Sequence, residues 1–437
     1  MFFNLPYFLR LVLAFCCIFF TISNADAQQE SVHVETLQSI LQHVYKTHPG
    51  IRSARSDVKS AKETVRQASA NFKPTASIGA TAITQITEPS SFGTPTNDQQ
   101  NLNFTIAQPL YRGGRTVSAV KAAEKRIEAA EYEFNAAVQD IFLGTAQAYI
   151  GVLRDQEILS LRQNNEKVLE TELEAAKARF DLGDVTRTDV SQAGSRYSQA
   201  VAERVEAEAN YTASQAEFER VTGKLPDGLS KPAGLPPQEG TLDAMVAIAQ
   251  QDHPDIALNQ ALEQAATLDG REIFGELLPE LSLTGSLNRS FNPTFENQAF
   301  TDNSRLTLDA TLPLYAGGAV LSRRKQSRLE AQQRRFDVQD LKRDIKGSVI
   351  REWQNLQSAK AQVKARKAQV EASDLAFEGV SQEARFGSRT TLDILDAEQE
   401  RLNARVELVS AQYDVILAQY SLMEAAGQLS PALLGVK

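Results

Sequence analysis

Four short stretches of the chain alternate apolar and polar residues, which is the pattern of a β-strand with one apolar face. The clearest stretch, residues 305–314, places leucine at positions 306, 308, 312 and 314, with mostly polar residues between them. The same alternation is present in three further segments. We therefore predict four strands, over residues 76–86, 102–111, 281–291 and 305–314.

In the segments that follow each strand pair, apolar residues recur with a period of three and a half residues instead of two. Apolar residues recur every seven positions from Val120 to Ile141, and again from Val349 to Phe377. This heptad spacing predicts coiled-coil helices. The stretch from Gly114 to Leu182 contains no proline, and a helix of that length extends about 100 Å. A shorter helix is expected ahead of the first strand, over residues 53–72. The four long helices are predicted over residues 114–182, 185–223, 318–386 and 390–427.

The chain presents this order of elements twice. Pro109–Gly114 recurs 204 residues later as Pro313–Gly318, and matches further along the chain keep the same offset. A constant offset over more than a hundred residues indicates an internal duplication. We interpret residues 28–223 and 241–437 as the two structural repeats, and the proline-rich residues 224–240 as the connector between them.

The first 27 residues have the features of a secretory signal peptide. Arg10 precedes a largely apolar run of twelve residues, and Ala25-Asp26-Ala27 forms a small-x-small cleavage signature. Twelve residues are too few to span a bilayer as a helix, which needs about 20. No later segment looks long and apolar enough for a transmembrane helix. We expect an exported protein whose contact with a membrane depends on its strands.

Composition excludes several classes of function. The net charge of −9 over 437 residues argues against a nucleic-acid partner. Both cysteines lie in the first twenty residues, and the four histidines show no metal-ligand spacing. The sequence contains no Walker loop, nucleophile elbow or HExxH motif. We therefore expect no enzyme activity, no cofactor and no metal site.

The four strands also constrain the assembly. Strands of about ten residues suit a membrane barrel, but four strands cannot close one, and every strand edge in lipid must be paired. A small soluble sheet is the simpler alternative. If the strands lie in a membrane, several chains must contribute to one barrel, and three chains supply twelve strands and twelve helical columns.

The Leu-Tyr-x-Gly-Gly junctions and the segment Gly387–Ala397 (GSRTTLDILDA) resemble the TolC family of outer-membrane efflux and secretion channels. The resemblance covers residues 35–434. It implies a mainly α-helical, internally duplicated homotrimer with a 12-stranded β-barrel in the Gram-negative outer membrane, continuous with a 12-helix α-barrel in the periplasm. The implied role is a passive exit duct for drug efflux, type I protein secretion or both. The implied partners are a periplasmic adaptor protein, an inner-membrane transporter of the ABC or RND type, and outer-membrane lipid.

The resemblance also points to residues in the two helix-to-helix turns. Thr188, Asp189 and Arg389 match the positions that lock the periplasmic gate in the family, through an arginine–carboxylate link. An ordinary exposed salt bridge is the simpler interpretation. Ala384 departs from the family pattern, which often has tyrosine there, so the lock is expected to be weaker or to use Arg187 or Arg385.

Asp393 and Asp396 are three residues apart and share a helix face, so three chains would form two acidic constriction rings that select cations. The alternative is a pair of solvated acids that cap the helix start. Gly183 and Gly387 suit tight turns, and the resemblance implies that adaptor hairpins dock in the grooves beside them. A basic cluster is interpreted as a solvated face below the barrel, with contact to lipid headgroups as the less favoured alternative: Arg323, Arg324, Lys325, Arg328, Arg334 and Arg335.

Two other classes of protein share some of these features. A periplasmic adaptor also carries long helical hairpins, but usually one hairpin flanked by small β-domains and an inner-membrane anchor. A structural periplasmic coiled coil would not need four amphipathic strands. The duplicated order of helix, two strands and two helices favours the export duct.

Overall fold

The computed structural model describes residues 35–86, 96–232, 240–291 and 299–435. The expected signal peptide at residues 1–27 lies outside the described residues. The helices are α1 (Leu37–Thr47), α2 (Pro49–Ala70), α3 (Arg115–Asp181), α4 (Arg187–Thr222), α5 (Leu242–Asp252), α6 (Pro254–Gly275), α7 (Ala319–Arg385) and α8 (Thr391–Ala425). The strands are β1 (Thr75–Ile86), β2 (Thr96–Arg112), β3 (Glu280–Phe291) and β4 (Phe300–Thr311).

The strands form one antiparallel sheet in the order β1-β2-β3-β4. Ile78 lies opposite Phe104, which lies opposite Leu287, so apolar side chains share one face across neighbouring strands. Thr105 and Ser286 form a pair on the other face. The two faces therefore differ in polarity, as the alternation predicts, and Ile78, Phe104 and Leu287 are exposed in the single chain.

The strand ends differ from the sequence prediction. Strand β2 begins at Thr96 instead of residue 102, because it pairs with β1 as far as Ile86. Strand β4 ends at Thr311 instead of residue 314. Pro313 has no amide hydrogen to donate to a strand ladder, which accounts for the early end.

The long helices α3 and α7 contain 67 residues each, or about 100 Å. Helix α4 packs against α3, and α8 against α7, so that each pair forms a helical hairpin. Towards the sheet, α2 packs on α3, while α6 packs on both α3 and α7 and thereby connects the repeats. Gly113, at the strand-to-helix junction, has a φ of 59°, and a Cβ there would lie 2.2 Å from the carbonyl oxygen of Gly275.

Two short helices lie ahead of the strands in each repeat, where the sequence analysis expected one helix over residues 53–72. Helix α1 ends at Thr47, and His48 separates it from α2. The His48 Nδ1 accepts the amide hydrogen of Gly50 at 3.1 Å, and Pro49 occupies the first helical position, where no amide donor is needed. His253 and Pro254 form the same junction between α5 and α6.

The largest buried cluster joins the middle of α3 to α1 and to the connector. Phe142 and Tyr149 of α3 are fully buried beside Ile40 of α1. The Tyr149 hydroxyl lies 2.8 Å from the Glu35 carbonyl oxygen and 2.6 Å from that of Ser230. These contacts fix the connector against the helices about halfway along their length.

One expectation about membrane helices is wrong. Helix α3 contains an 18-residue stretch that is apolar enough to cross a membrane by composition. Just over half of this stretch is buried inside the protein. The apolar residues of α3 between Val138 and Leu153 belong to the buried cluster with α1, which accounts for the composition as protein core.

The hairpin tips as a candidate gate

Both helical hairpins turn through the same backbone motif. Gly183 and Gly387 have φ values of 82° and 76°, in the left-handed region that favours glycine. In the first turn, the amide of Asp184 donates to the Arg179 carbonyl and that of Gly183 donates to the Phe180 carbonyl, both at 2.9 Å. This pattern is a Schellman motif, and residues 383–388 repeat it. Nothing lies within 4 Å of a Cβ placed on either glycine, so the space beside each glycine is open.

The helices that follow the turns begin with identical capping boxes. The side chain of Asp189 accepts hydrogen bonds from the backbone amide and the hydroxyl of Thr186, both at 2.8 Å. Asp393 accepts the same two bonds from Thr390, also at 2.8 Å. These hydrogen bonds hold the pKa of each aspartate below its ordinary value. Both carboxylates are therefore ionised at neutral pH and are already engaged at their own helix ends.

The proposed lock residues make their contacts inside their own hairpins. Arg389 Nε donates to Glu383 Oε2 at 2.8 Å, and this contact raises the pKa of the arginine. Thr188 is exposed in the first turn of α4. No ion pair joins Arg389 to Asp189 within the part of the chain that the structure describes. A lock between neighbouring chains would have to share or replace the contact with Glu383, and this lock stays a prediction.

Asp396 has a different environment from Asp393, although they share a helix face. Arg196 Nη2, on α4, donates to Asp396 Oδ1 on α8 at 2.5 Å. This ion pair joins the first hairpin to the second, close to their tips. The neighbouring residue Leu395 is buried in a cluster with Ala193 and Ala200 of α4. Near their tips, the two hairpins of one chain are thus joined by this apolar contact and by the Arg196–Asp396 ion pair, in addition to the packing of α8 on α3 further along the helices.

Sequence reasoning did not identify Arg196. It lies 200 residues from Asp396, and the offset of 204 places Glu400, not Asp396, at the equivalent position in the second repeat. The feature of the sequence that could have identified Arg196 is its position between Ala193 and Ala200, two small residues seven positions apart on α4. Charged residues that flank such a pair often contact the partner helix.

A group of partly buried carboxylates lies where α3, α7 and α8 meet the start of α6. Burial raises the pKa of Glu424, and the neighbouring charges of Asp140, Asp255 and Glu352 raise it further. The pKa of Asp140 is raised by burial and by Asp255, and lowered by His253. Burial lowers the pKa of His253. No set of three histidine, cysteine or acidic side chains within the described ranges is placed to hold a metal ion.

A duplicated pair of long helical hairpins, joined to a four-stranded sheet with one apolar face, defines the channel-tunnel class of outer-membrane proteins. The chain belongs to the outer membrane efflux protein family, whose sequence profile matches residues 24–224 and 246–428. It is therefore an outer-membrane export protein and not an enzyme. Because the match includes both repeats, it does not favour the alternative of a periplasmic adaptor.

Known relatives agree with this assignment. The chain is 29% identical over 406 residues to the outer membrane efflux protein BepC of Brucella suis, covering 92% of this chain and 88% of BepC. It is 26% identical over 408 residues to the outer membrane protein TolC of Vibrio cholerae, covering 92% of each. The crystal structure of the outer membrane protein VceC of Vibrio cholerae superposes with a TM-score of 0.75 at 20% identity, over 90% of this chain and 96% of VceC.

Proposed function

We propose that three copies of this chain form a continuous duct, with a 12-stranded β-barrel in the outer membrane and a 12-helix α-barrel in the periplasm. The observation that carries this proposal is the sheet. Strands β1 and β4 are its two edges, and each pairs on one side only within the described residues. In lipid an unpaired edge leaves backbone groups without partners, at several kcal/mol each. Pairing β4 of one chain with β1 of the next removes these edges.

A barrel of three chains suits an open duct better than a barrel of two chains does. Two chains would supply eight strands, and a barrel of eight is filled by its own side chains. Twelve strands enclose a wider interior, which the polar face around Thr105 and Ser286 would line, while the face with Phe104 and Leu287 contacts lipid. The repeats, residues 28–223 and 241–437, then contribute two strands and two helical columns each.

We place the periplasmic gate at the hairpin tips. Arg389 is exposed and carries its charge on a short turn, so it can reach Thr188 and Asp189 of a neighbouring chain when the tips converge. Inside each chain, the Arg196–Asp396 ion pair keeps the two hairpins together. Asp393 and Asp396 from three chains would form the acidic constriction. The open space beside Gly183 and Gly387 would receive the tips of a periplasmic adaptor.

The gate is tested with the double variant Arg389→Ser and Asp189→Ala. Conductance in planar bilayers should rise, while the barrel keeps its resistance to heat in detergent, because the substitutions lie at the opposite end of the helices. Arg179→Ser with Asp184→Ala is the matched control, because it removes the same two kinds of charge from exposed positions at the first turn. A double variant that conducts like the unaltered protein would remove these residues from the gate.

The proposed substrates are toxic small molecules, delivered by an inner-membrane transporter of the ABC or RND type through the adaptor. This choice follows from the family description and from the efflux function that BepC's name states. Type I protein secretion is the second candidate. Deletion of the gene, followed by a panel of toxic compounds and an analysis of secreted proteins, separates them. Increased sensitivity with an unchanged set of secreted proteins supports efflux, and the reverse result supports secretion.

A further inference from the structure

The most unusual surface outside the gate is a groove between α6 and α7, next to the sheet. It has a volume of about 880 Å³ and extends along α7 from Leu321 to Phe336, or about 22 Å. Five cationic side chains line it, and no acidic side chain does. Its apolar floor includes Phe274 and Leu321. The cations are Arg271, Arg324, Lys325, Arg328 and Arg335.

Most of these cations are available to an external anion. Arg335 donates to Glu263 at 2.9 Å, and Arg324 stacks at 4.4 Å over the ring of Phe274. Arg271, Lys325 and Arg328 are exposed and form no ion pair with any residue of the described ranges. No acidic group among the described residues neutralises these three cations, so they remain available to a ligand from outside the chain.

The duplication provides an internal comparison. The positions of the first repeat that correspond to Arg328, Gln332 and Arg335 are occupied by Glu124, Glu128 and Glu131. Glu131 forms an ion pair with Lys62 of α2 at 3.3 Å. The first repeat thus balances its charges at this level, whereas the second repeat accumulates positive charge. A generic solvated face does not explain why only one copy has this imbalance.

The position of the groove indicates which surface it faces. Arg335, Arg328 and Leu321 precede Val349 by 14, 21 and 28 residues, so they lie on the same stripe of a heptad-spaced helix. Val349 is buried in a cluster with Met245 of α5. Helix α5 must lie outside the ring if the proposed duct is to remain open. The groove therefore opens on the outer surface, between α5 and the sheet.

We propose that this groove binds the phosphate headgroup of an anionic phospholipid in the periplasmic leaflet of the outer membrane. The proposal rests on the proposed barrel, because the barrel sets the level of the membrane. Arg271, Lys325 and Arg328 bind the phosphate, while Phe274 and Leu321 contact the glycerol and the first acyl carbons. An amphipathic ligand matches the groove's combination of cations and aromatic surface better than a free anion does.

The test uses the full chain in a mild non-ionic detergent, with bound lipid counted by native mass spectrometry. Phosphatidylglycerol is titrated in parallel with phosphatidylcholine of the same acyl chains, and with inorganic phosphate as competitor. The groove variant is Arg271→Gln, Lys325→Gln and Arg328→Gln. The matched control is Arg52→Gln, Lys59→Gln and Lys121→Gln. It removes three exposed cations of α2 and α3 that form no ion pair with another described residue.

We expect phosphatidylglycerol to bind the unaltered protein more tightly than phosphatidylcholine. The groove variant should lose roughly fivefold in affinity per charge, or on the order of a hundredfold, and the control should lose little. Equal loss in both variants, or no loss in the groove variant, would overturn the proposal. So would displacement of the lipid by an equal concentration of inorganic phosphate, which would assign the groove to a free anion.

Two further readouts separate this proposal from its alternatives. A groove variant that keeps its lipid but no longer cross-links to the periplasmic adaptor in cells would assign the groove to an acidic protein surface and overturn the lipid proposal. Oligomeric state and conductance are measured on the same samples. Unaltered protein that is trimeric and conducting but shows no preference for phosphatidylglycerol contradicts the lipid site alone, whereas failure to form trimers contradicts the proposed duct.

Discussion

The ion pair between Arg196 and Asp396 predicts how firmly the two hairpins of one chain hold together at the gate. The substitution Asp396→Asn removes the charge and keeps the shape of the side chain. Arg196→Gln removes the other partner and leaves the acidic group in place. If the tips open by moving one hairpin away from the other, both variants should favour the open state.

The size of the effect follows from the geometry of the pair. Two charges about 4 Å apart attract by about 1 kcal/mol in water and about 4 kcal/mol at an effective dielectric constant of 20. The side chains of Arg196 and Asp396 are 30% and 54% exposed, so water and the ordering of both side chains offset most of this energy. A net value of about 0.5–1 kcal/mol per pair is typical of such sites. Three equivalent pairs that break together shift the equilibrium by about 1.5–3 kcal/mol, or roughly 10- to 150-fold.

The assay is the open probability of single channels in planar bilayers, measured at low and high salt. The matched control is Asp374→Asn, because Asp374 pairs with Arg405 at 2.8 Å within the second hairpin, and both side chains are 39% exposed. Breaking that pair does not release one hairpin from the other, so the open probability should not change.

Several results would contradict this reasoning. Asp396→Asn and Arg196→Gln channels that are trimeric and open no more often than unaltered channels would show that the pair does not restrain the gate. An increase of the same size in Asp374→Asn would mean that any lost ion pair loosens the helices. The charge-reversed double variant, Arg196→Asp with Asp396→Arg, should restore the closed state if attraction between the two positions is the cause.

Three further predictions concern the tips and the carboxylate group. Asparagine tolerates positive φ, so Gly183→Asn and Gly387→Asn should leave the turns and the trimer intact. The added side chains should block adaptor docking and abolish efflux in cells, and normal efflux would place docking elsewhere. A trivalent complex cation added on the periplasmic side should block the current at low concentration, and the block should weaken in high salt. The double variant Asp393→Ala with Asp396→Ala should abolish this block, and equal block in both proteins would contradict the constriction. Folding raises the pKa of Glu424 above its unfolded value of 4.5. Above the raised pKa the carboxylate is charged in the folded protein and destabilises it, whereas below pH 4.5 the group is protonated in both states and has no such effect. Glu424→Gln should therefore raise the melting temperature at pH 7 and leave it unchanged near pH 4.5, and a gain of the same size at both pH values would contradict this.

Most of the fold could be predicted from periodic patterns of apolar residues in the sequence. The alternation in residues 281–291 predicted β3, and its apolar face is the one that the structure shows, because a strand's period of two determines which side chains share a face. Heptad spacing likewise predicted α3 and α7. The strand ends were less predictable, since pairing with β1 extends β2 back to Thr96 and a proline shortens β4.

Contacts at the gate were harder to predict, for a physical reason. The capping boxes are local, and the structure confirms that Asp393 caps the start of its helix, which the sequence analysis held as the simpler alternative to a pore-facing acid. The pair between Arg196 and Asp396 depends on how two hairpins pack. No local periodicity specifies that packing, and the duplication does not help, because the two residues are not at equivalent positions.

The mass of the purified protein tests most directly whether three chains close one barrel. Protein extracted from outer membranes in a mild detergent should be measured by light scattering corrected for bound detergent, with circular dichroism on the same sample. We expect a single species of three chains with the full strand content, because β1 and β4 leave unpaired edges in any smaller unit. A homogeneous monomer with the same strand content would contradict it.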